Sequence, residues 1–402
     1  MKEITEFETQ KMPFSVYLLA LCQALMMSST SLMITVSALV GYALADDKSL
    51  STLPLSLQFL GLMLMSLPAS MIMGRLGRKM GFVIGTFFGI LGGVLAVWSI
   101  LNHHYWGFAG AAFLVGVFNG FGNYYRFAAV DVANEDNKAK AISYVMAGGV
   151  IAAFIGPNLA NFGRNIFTNE QFAGGFLFVI LFYFVVLLIM AFIKIPESSM
   201  EAVSEPARPF LQIASQPTFI VAVICGMLGY AVMSYLMTAT PLAMKHHAHA
   251  FDETAFVIQW HVLAMFAPSF FTGSIIQKVG VINVLIIGAL LAIVCVVVNL
   301  VGQTVSHFWV AFVALGISWN FLFIGATNLL TGTYRASEKS KAQGINDLLV
   351  FTMVTIASLS AGMFQHNFGW KAVNLGALPI IFVILLSIVW LVRIPESKRT
   401  LS

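Results

Sequence analysis

Residues 52–101 read TLPLSLQFLGLMLMSLPASMIMGRLGRKMGFVIGTFFGILGGVLAVWSIL. Two apolar runs, 52–73 and 80–101, flank a short basic turn, Gly74-Arg75-Leu76-Gly77-Arg78-Lys79. Each run supplies the ~20 residues a helix needs to cross the hydrocarbon of a bilayer. A strand of a membrane barrel would alternate apolar and polar residues, and neither run does. Backbone polar groups in hydrocarbon must find partners within their own segment, so these runs fold as helices. The stretch is therefore two transmembrane helices joined by a tight turn on one face of the membrane.

The same pattern continues in both directions. Ten further apolar runs lie at about 14–44, 106–132, 141–162, 173–195, 217–243, 254–275, 281–301, 307–331, 342–364 and 372–392, giving twelve expected spans. The composition agrees. Of 402 residues, 59% are apolar and only 9% charged, against about a quarter charged in a soluble domain. This excludes an ordinary soluble enzyme, a nucleic-acid binder and a disordered chain. The three cysteines, Cys22, Cys225 and Cys295, sit inside apolar runs and read as small buried hydrophobes. The opening residues MKEITEFETQK carry three glutamates and no basic stretch before an apolar core, so the first run is expected to stay as an anchor.

Orientation follows from the basic residues. With both termini in the cytoplasm, only Lys48, Arg164, Lys245 and Lys371 of the 21 Lys and Arg fall outside. That bias places the termini and the 74–79 turn inside.

The chain also repeats itself at an offset near 200. Ile195-Pro196-Glu197-Ser198 closes the first half and Ile394-Pro395-Glu396-Ser397 the second. The turn at 74–79 has a counterpart in 273–280, GSIIQKVG. Lys138-Ala-Lys140-Ala141 matches Lys339-Ser-Lys341-Ala342, and Asn119 aligns with Asn320. A series in register argues for a duplicated six-helix unit. The expected organisation is an N-terminal bundle, 1–195, a cytoplasmic linker, 196–216, and a C-terminal bundle, 217–402.

With these features the chain resembles the major facilitator superfamily over essentially its whole length. The family's turn between the second and third spans reads Gly-x-x-x-Asp-Arg-x-Gly-Arg-Lys. Arg75, Gly77, Arg78 and Lys79 match it, while Ser70 replaces the first glycine and Gly74 the aspartate. The stretches YYRFAAVDVA (124–133), VIQWHVLAMFAPSFFTG (257–273) and SWNFLFIGATNLLTGTYR (318–335) are similar to bacterial permeases of that family. The resemblance implies an all-α integral membrane protein of twelve helices in two pseudo-symmetric bundles. It implies transport without implying a substrate.

Polar and ionisable groups inside a span are costly and are functional candidates. Asn119, Asn123 and Arg126 fall at i, i+4 and i+7 and are expected on one helical face. A guanidinium there can clamp a carboxylate or phosphate, and snorkelling to the interface is the competing account. Trp319, Asn320 and Thr327 on the tenth span, Trp260 on the eighth, Gln23 on the first and Tyr230 on the seventh complete the candidate cavity lining. Amide and aromatic groups together suit a planar polar solute; interhelical glue is the alternative for Gln23 and Tyr230, and an interfacial belt position for Trp260. Asp131, Asp347 and His261 are the groups able to titrate in or near the spans, and with Arg75, Arg78 and Lys79 form the candidate coupling or gating set; a structural role is the competing account for Asp131 and for His261. Asp347 can meet Arg126 or a basic inner loop when the cytoplasmic side is closed, and a solvated helix start is the alternative. Lys245-His246-His247-Ala248-His249 lacks the spacing of a dedicated metal site. Gly156-Pro157 matches only the last pair of the family's antiporter motif, whose other glycines are replaced by Ser143 and Ala152.

No G-x-x-x-x-G-K-[ST] fingerprint is present, so energy is expected from an ion or solute gradient or a partner chain. The expected function is secondary-active transport of a small organic solute, with uptake of an anionic or aromatic compound favoured and drug or metabolite efflux as the alternative. A membrane enzyme would need a catalytic cluster, and a channel a pore signature; neither is visible. No cofactor, metal or nucleic acid is expected. The partners are the bilayer, the solute and a proton; the chain is expected to be a monomer in a bacterial-type inner membrane.

Overall fold

The turn at 74–79 illustrates how the chain builds its helices. Gly77 has φ 82° and ψ 153°, and its counterpart Gly280 has φ 83° and ψ 149°. That region is essentially closed to residues bearing a Cβ, so a glycine ends one helix and starts the next in both halves. The helices closing each half repeat too: Ile193 and Ile394 take the same extended conformation after them.

The computed structural model describes residues 12–134, 138–167, 170–195, 208–395, 397 and 399. Residues 196–207 of the expected linker lie outside the described residues, as do Pro196-Glu197-Ser198 and Glu396 of the closing repeats. The helices are α1 (Phe14–Leu44), α2 (Leu53–Leu76), α3 (Arg78–Leu101), α4 (Tyr105–Gly122), α5 (Tyr125–Val132), α6 (Lys138–Gly163), α7 (Ala173–Phe192), α8 (Phe210–Ala214), α9 (Pro217–His246), α10 (Phe251–Phe266), α11 (Ser269–Val279), α12 (Val281–Val301), α13 (Val305–Thr331) and α14 (Lys339–Arg393).

Nine helices among the described residues are long and apolar enough to cross a membrane. The bent pair α10 and α11 makes a tenth, broken by 47°. Two further features are consistent with twelve spans. Gly369, at φ 76°, divides α14 into two arms. α4 and α5 join through Asn123 and Tyr124, where the Tyr124 amide bonds Phe121 O, a tightened 3₁₀-type step. The expected fourth and eighth spans are thus each two helices, not one.

The surface is apolar and the interior carries the polar groups. Phe87, Leu91, Val94 and Trp98 form one exposed stripe along α3. Ser28, Ser29, Ser31, Thr35 and Ser37 of α1 are buried. Without a hydrophobic drive between helices in lipid, such small polar residues allow close packing.

The buried apolar side chains gather in two main clusters. One draws on α1–α7, with Phe108, Phe118, Phe121, Tyr125 and Tyr183 among its largest members. The other draws mostly on α9–α14, around Leu236, Phe308, Phe312 and Leu322. Ile34, Leu55, Phe59 and Ala153 cross into the second cluster, and Phe251 and Ala255 into the first, so the two groups meet through these residues.

Candidate substrate site

Aromatic side chains converge where the helix groups meet. Trp319 stacks on Phe323, with ring centroids 5.1 Å apart and planes within 8°. These two residues are one helical turn apart on α13. Tyr230 of α9 meets both edge-on, at 5.3 and 5.7 Å. Phe266 of α10 meets Trp319 at 5.7 Å, and Phe351 of α14 meets Tyr230 at 6.0 Å. Phe266 also touches α6: a Cβ at Gly149 would stand 2.6 Å from its ring, so glycine permits this contact. Beside Phe351, the Thr352 hydroxyl lies 3.0 Å from Met63 Sδ of α2. The aromatic group therefore sits at the seam.

Two polar groups in it have no partner among the described residues. The Trp319 indole nitrogen is buried without a hydrogen bond. The Tyr230 hydroxyl makes no hydrogen bond among them either, while buried Trp and Tyr usually find a partner. Thr327, the next turn along from Phe323, is exposed, and its hydroxyl donates to the Phe323 carbonyl at 2.8 Å.

One turn from Phe351 along α14, about 6 Å at 1.5 Å per residue, lies Asp347. It is within electrostatic reach of Arg126 on α5, and of Tyr124 and Tyr334. No direct ion pair joins Asp347 to Arg126 among the described residues. Among the described residues Asp347 accepts only from Asn346 Nδ2, at 3.2 Å. The Arg126 guanidinium lies 4.9 Å from the Phe127 ring, and its Nε is buried without a partner. Gln343 donates to the Tyr334 hydroxyl at 2.6 Å.

Other candidates sit elsewhere. Asn320 is fully buried, and its amide is spent on the α10–α11 break. Its Nδ2 donates to the Met265 carbonyl at 2.6 Å and to the Ser269 hydroxyl at 2.7 Å, and its Oδ1 accepts from Thr272 at 2.6 Å. Pro268 cannot donate, so a break there releases carbonyls that a side chain must satisfy. Asn320 thus belongs to the scaffold and not to the cavity lining. Asn119 donates to Thr30 of α1 at 3.1 Å, and Asn123 caps α4. With the break after Gly122, Asn119 and Arg126 lie on different helices, which corrects the expected single face. Gln23 is buried on α1. Trp260 meets Trp309 at 5.9 Å and Phe256 at 6.2 Å, apart from the Trp319 group.

The coupling candidates divide in the same way. Arg78 at the start of α3 forms an ion pair with Asp131 at the end of α5. The pair ties the 74–79 turn to the end of α5. Lys79 donates to the Ile193 and Ala191 carbonyls at 3.2 and 3.4 Å, closing α7, while Arg75 is exposed. His261 is fully buried, with Nδ1 2.8 Å from the Phe312 carbonyl.

The face opposite the 74–79 turn, where all the histidines but His261 lie, is bridged between the groups. Asn158 donates to Gln259 at 2.7 Å, and Ser56 to Ser358 at 3.2 Å. Arg164 lies over Phe251 at 5.4 Å and Lys245 over Tyr42 at 4.4 Å. A cleft of about 430 Å³ opens there, lined by Val40, Arg164, Phe172, Lys245 and Phe251, and shares no residue with the Trp319 group. His249 contacts Gln303 O at 2.7 Å and Glu253 at 3.5 Å. On the face of the 74–79 turn, the buried Glu338 carboxylate takes Arg208 Nε at 2.9 Å and the Arg208 amide at 2.7 Å.

Sequence reasoning missed Phe266, Phe323, Phe351 and the Arg208–Glu338 pair. Phe323 and Thr327 follow Trp319 at i+4 and i+8, and Phe351 follows Asp347 at i+4, a spacing that puts each set on one face.

The sequence matches the Major Facilitator Superfamily over residues 18–258 and 222–402. It is 39% identical over 377 residues to a riboflavin transporter, RfnT, of Brucella anthropi, covering 93% of this chain and 95% of the relative. It is 25% identical over 383 residues to an uncharacterized MFS-type transporter, YddS, of Bacillus subtilis, covering 91% and 88%. Its fold is similar to that of a D-xylose–proton symporter, with TM-score 0.73 at 15% identity over 97% and 100% of the chains, and to that of a nucleoside transporter, NupG, with TM-score 0.71 at 13% identity over 94% and 98%. The chain belongs to the Major Facilitator Superfamily and is a multi-pass membrane transporter.

Proposed function

We propose that this transporter takes up a flavin-type solute, riboflavin or a close analogue, by proton-coupled alternating access. The observation that carries the reading is the seam-lying aromatic group with its unpartnered indole N–H, in a chain 39% identical to a riboflavin transporter. A planar tricyclic ring stacks on or between such side chains, and Trp319 and Tyr230 supply hydrogen bonds that fix its orientation. Riboflavin carries no carboxylate or phosphate. The aromatic alternative is therefore favoured over an anion clamp, and Arg126 serves carbonyl groups or the gate.

Residues 1–195 and 217–402 act as two bundles that rock about the Trp319 group, joined by 196–216. The termini and the 74–79 turn lie in the cytoplasm of an inner-membrane protein, in keeping with the basic residues. Bridges on the histidine-bearing face support a conformation closed on the outer side. Asp347 carries the coupling proton, since Asp131 is engaged by Arg78 and His261 is wholly buried with its Nδ1 on the Phe312 carbonyl. The test is titration of the purified protein with riboflavin, following tryptophan and flavin fluorescence. Saturable quenching is expected, and its absence at any attainable concentration refutes the reading.

A further inference from the structure

A flavin ring ends in an imide, C=O–N–H–C=O, which presents acceptor, donor and acceptor in a row. Few single side chains answer that edge. A protonated carboxyl does so with two hydrogen bonds: its O–H donates to one ring carbonyl and its C=O accepts the imide N–H. A carboxylate can make only the second of these. A guanidinium next to it donates to the remaining carbonyl.

We propose that Asp347 and Arg126 read the imide edge of the substrate, and that Asp347 does so in its protonated form, so that proton and substrate bind at one carboxyl. The proposal rests on the flavin reading above and specifies its coupling. Asp347 lies one turn from Phe351, so a ring held against Tyr230 and Trp319 extends along α14 towards it. Arg126 and Asp347 come from different helix groups, are within electrostatic reach and make no direct ion pair. Among the described residues Arg126 Nε is a buried donor without a partner, and Asp347 has only Asn346 as donor. An edge placed between them satisfies both, and it bridges the two groups of helices.

The titratable groups facing Asp347 are Arg126 and Tyr124 from the α5 segment and Tyr334 before α14. Among the described residues, the other elements packed on α14 bring no further charge to it. α2 carries only Arg75, at its tip; α9 carries Lys245 and His246 at its far end; α8 and α12 carry none. Lys48, before α2, lies at the opposite face beside Tyr42. Glu338 is held by Arg208. The proton taken up at Asp347 comes from the outer solution and leaves with the substrate on the inner side.

The experiment compares riboflavin with its N3-methyl derivative, which keeps the ring and loses the imide donor. Binding to the wild type is measured by fluorescence quenching from pH 5.5 to 8. Riboflavin affinity is expected to fall as pH rises, and the N3-methyl compound to bind about tenfold more weakly at low pH, the factor expected for one buried hydrogen bond. Asp347→Asn supplies the second arm, because an amide mimics the protonated acid with one donor and one acceptor. It is expected to bind riboflavin with little pH dependence, and to lose accumulation driven by a proton gradient. Equal affinity for the two flavins across the pH range overturns the imide assignment while leaving the flavin reading intact. If neither flavin binds, both readings fall. A wild-type pH profile in Asp347→Asn places the proton elsewhere and overturns the shared-carboxyl proposal.

Discussion

Asn320→Ala separates scaffold from binding site more sharply than any other single change. The substitution removes three hydrogen bonds of 2.6–2.7 Å and strands the Met265 carbonyl beside the α10–α11 break. Hydrogen bonds between membrane helices average about 0.6 kcal/mol and reach about 1.7. Three of them give a loss of about 2 kcal/mol at the average and about 5 kcal/mol at the upper end. Asn119→Ala removes a single bond of 3.1 Å, to Thr30, and is expected to lose about 0.6 kcal/mol. Cys22, Cys225 and Cys295 are buried, so a thiol-reactive dye reports unfolding directly. The order of melting in detergent should be wild type, then Asn119→Ala slightly lower, then Asn320→Ala clearly lower. Riboflavin affinity per folded molecule should stay near wild type in Asn320→Ala, since its amide points at the helix break. Wild-type melting combined with lost ligand binding would refute this and return Asn320 to the substrate site.

Trp319→Ala should weaken riboflavin binding by about 1–3 kcal/mol, the range for one aromatic stacking partner of a heterocycle, whereas Trp260→Ala, in the separate Trp309 group, should leave affinity unchanged; equal losses in a quenching titration would contradict the assignment. The Glu338 carboxyl is pulled down to about 2 from the ordinary 4.5, chiefly by the hydrogen bond from Arg208. A lowered acid stabilises the folded contact above its unfolded pKa and loses that contribution as pH falls through its folded value. A spin label at Gln212 on α8 should therefore be immobile at pH 7, gain mobility between about pH 4.5 and 2, and be mobile at neutral pH in Glu338→Gln; identical spectra in both proteins would remove the tether. Reporter fusions should give a cytoplasmic signal at Glu338 and an external one at His247, and the reverse pattern would overturn the orientation.

The fold was legible because the bilayer imposes its own arithmetic. Runs of helix length and the one-sided placement of Lys and Arg need no tertiary knowledge. The Gly77 and Gly280 turns could be matched because both positions demand a positive φ. The breaks at Gly122–Tyr125 and Ala267–Pro268 were not read, because apolar runs continue through them and hydropathy does not register a local change of helix geometry. Site residues were harder for a related reason. Polarity inside a span marks a residue that needs a partner, yet does not say whether the partner is protein or ligand. Asn320 and the Nδ1 of His261 have protein partners, while the Trp319 indole has none among the described residues. Asp131 found Arg78 across 53 positions of sequence, a pairing visible only once α3 and α5 are folded together. The ring partners Phe266 and Phe351 come from other helices, so only Phe323 could be read from the Trp319 face.

The central claim is that the seam between the helix groups carries a flavin-type solute across the membrane with a proton. Its most direct test is uptake of radiolabelled riboflavin by proteoliposomes of the purified chain under an imposed inward proton gradient. The account predicts accumulation above the external concentration, collapsed by a protonophore and strongly reduced in Trp319→Ala. Uptake no greater than in protein-free liposomes, with the protein shown to be folded by its melting curve, would contradict it.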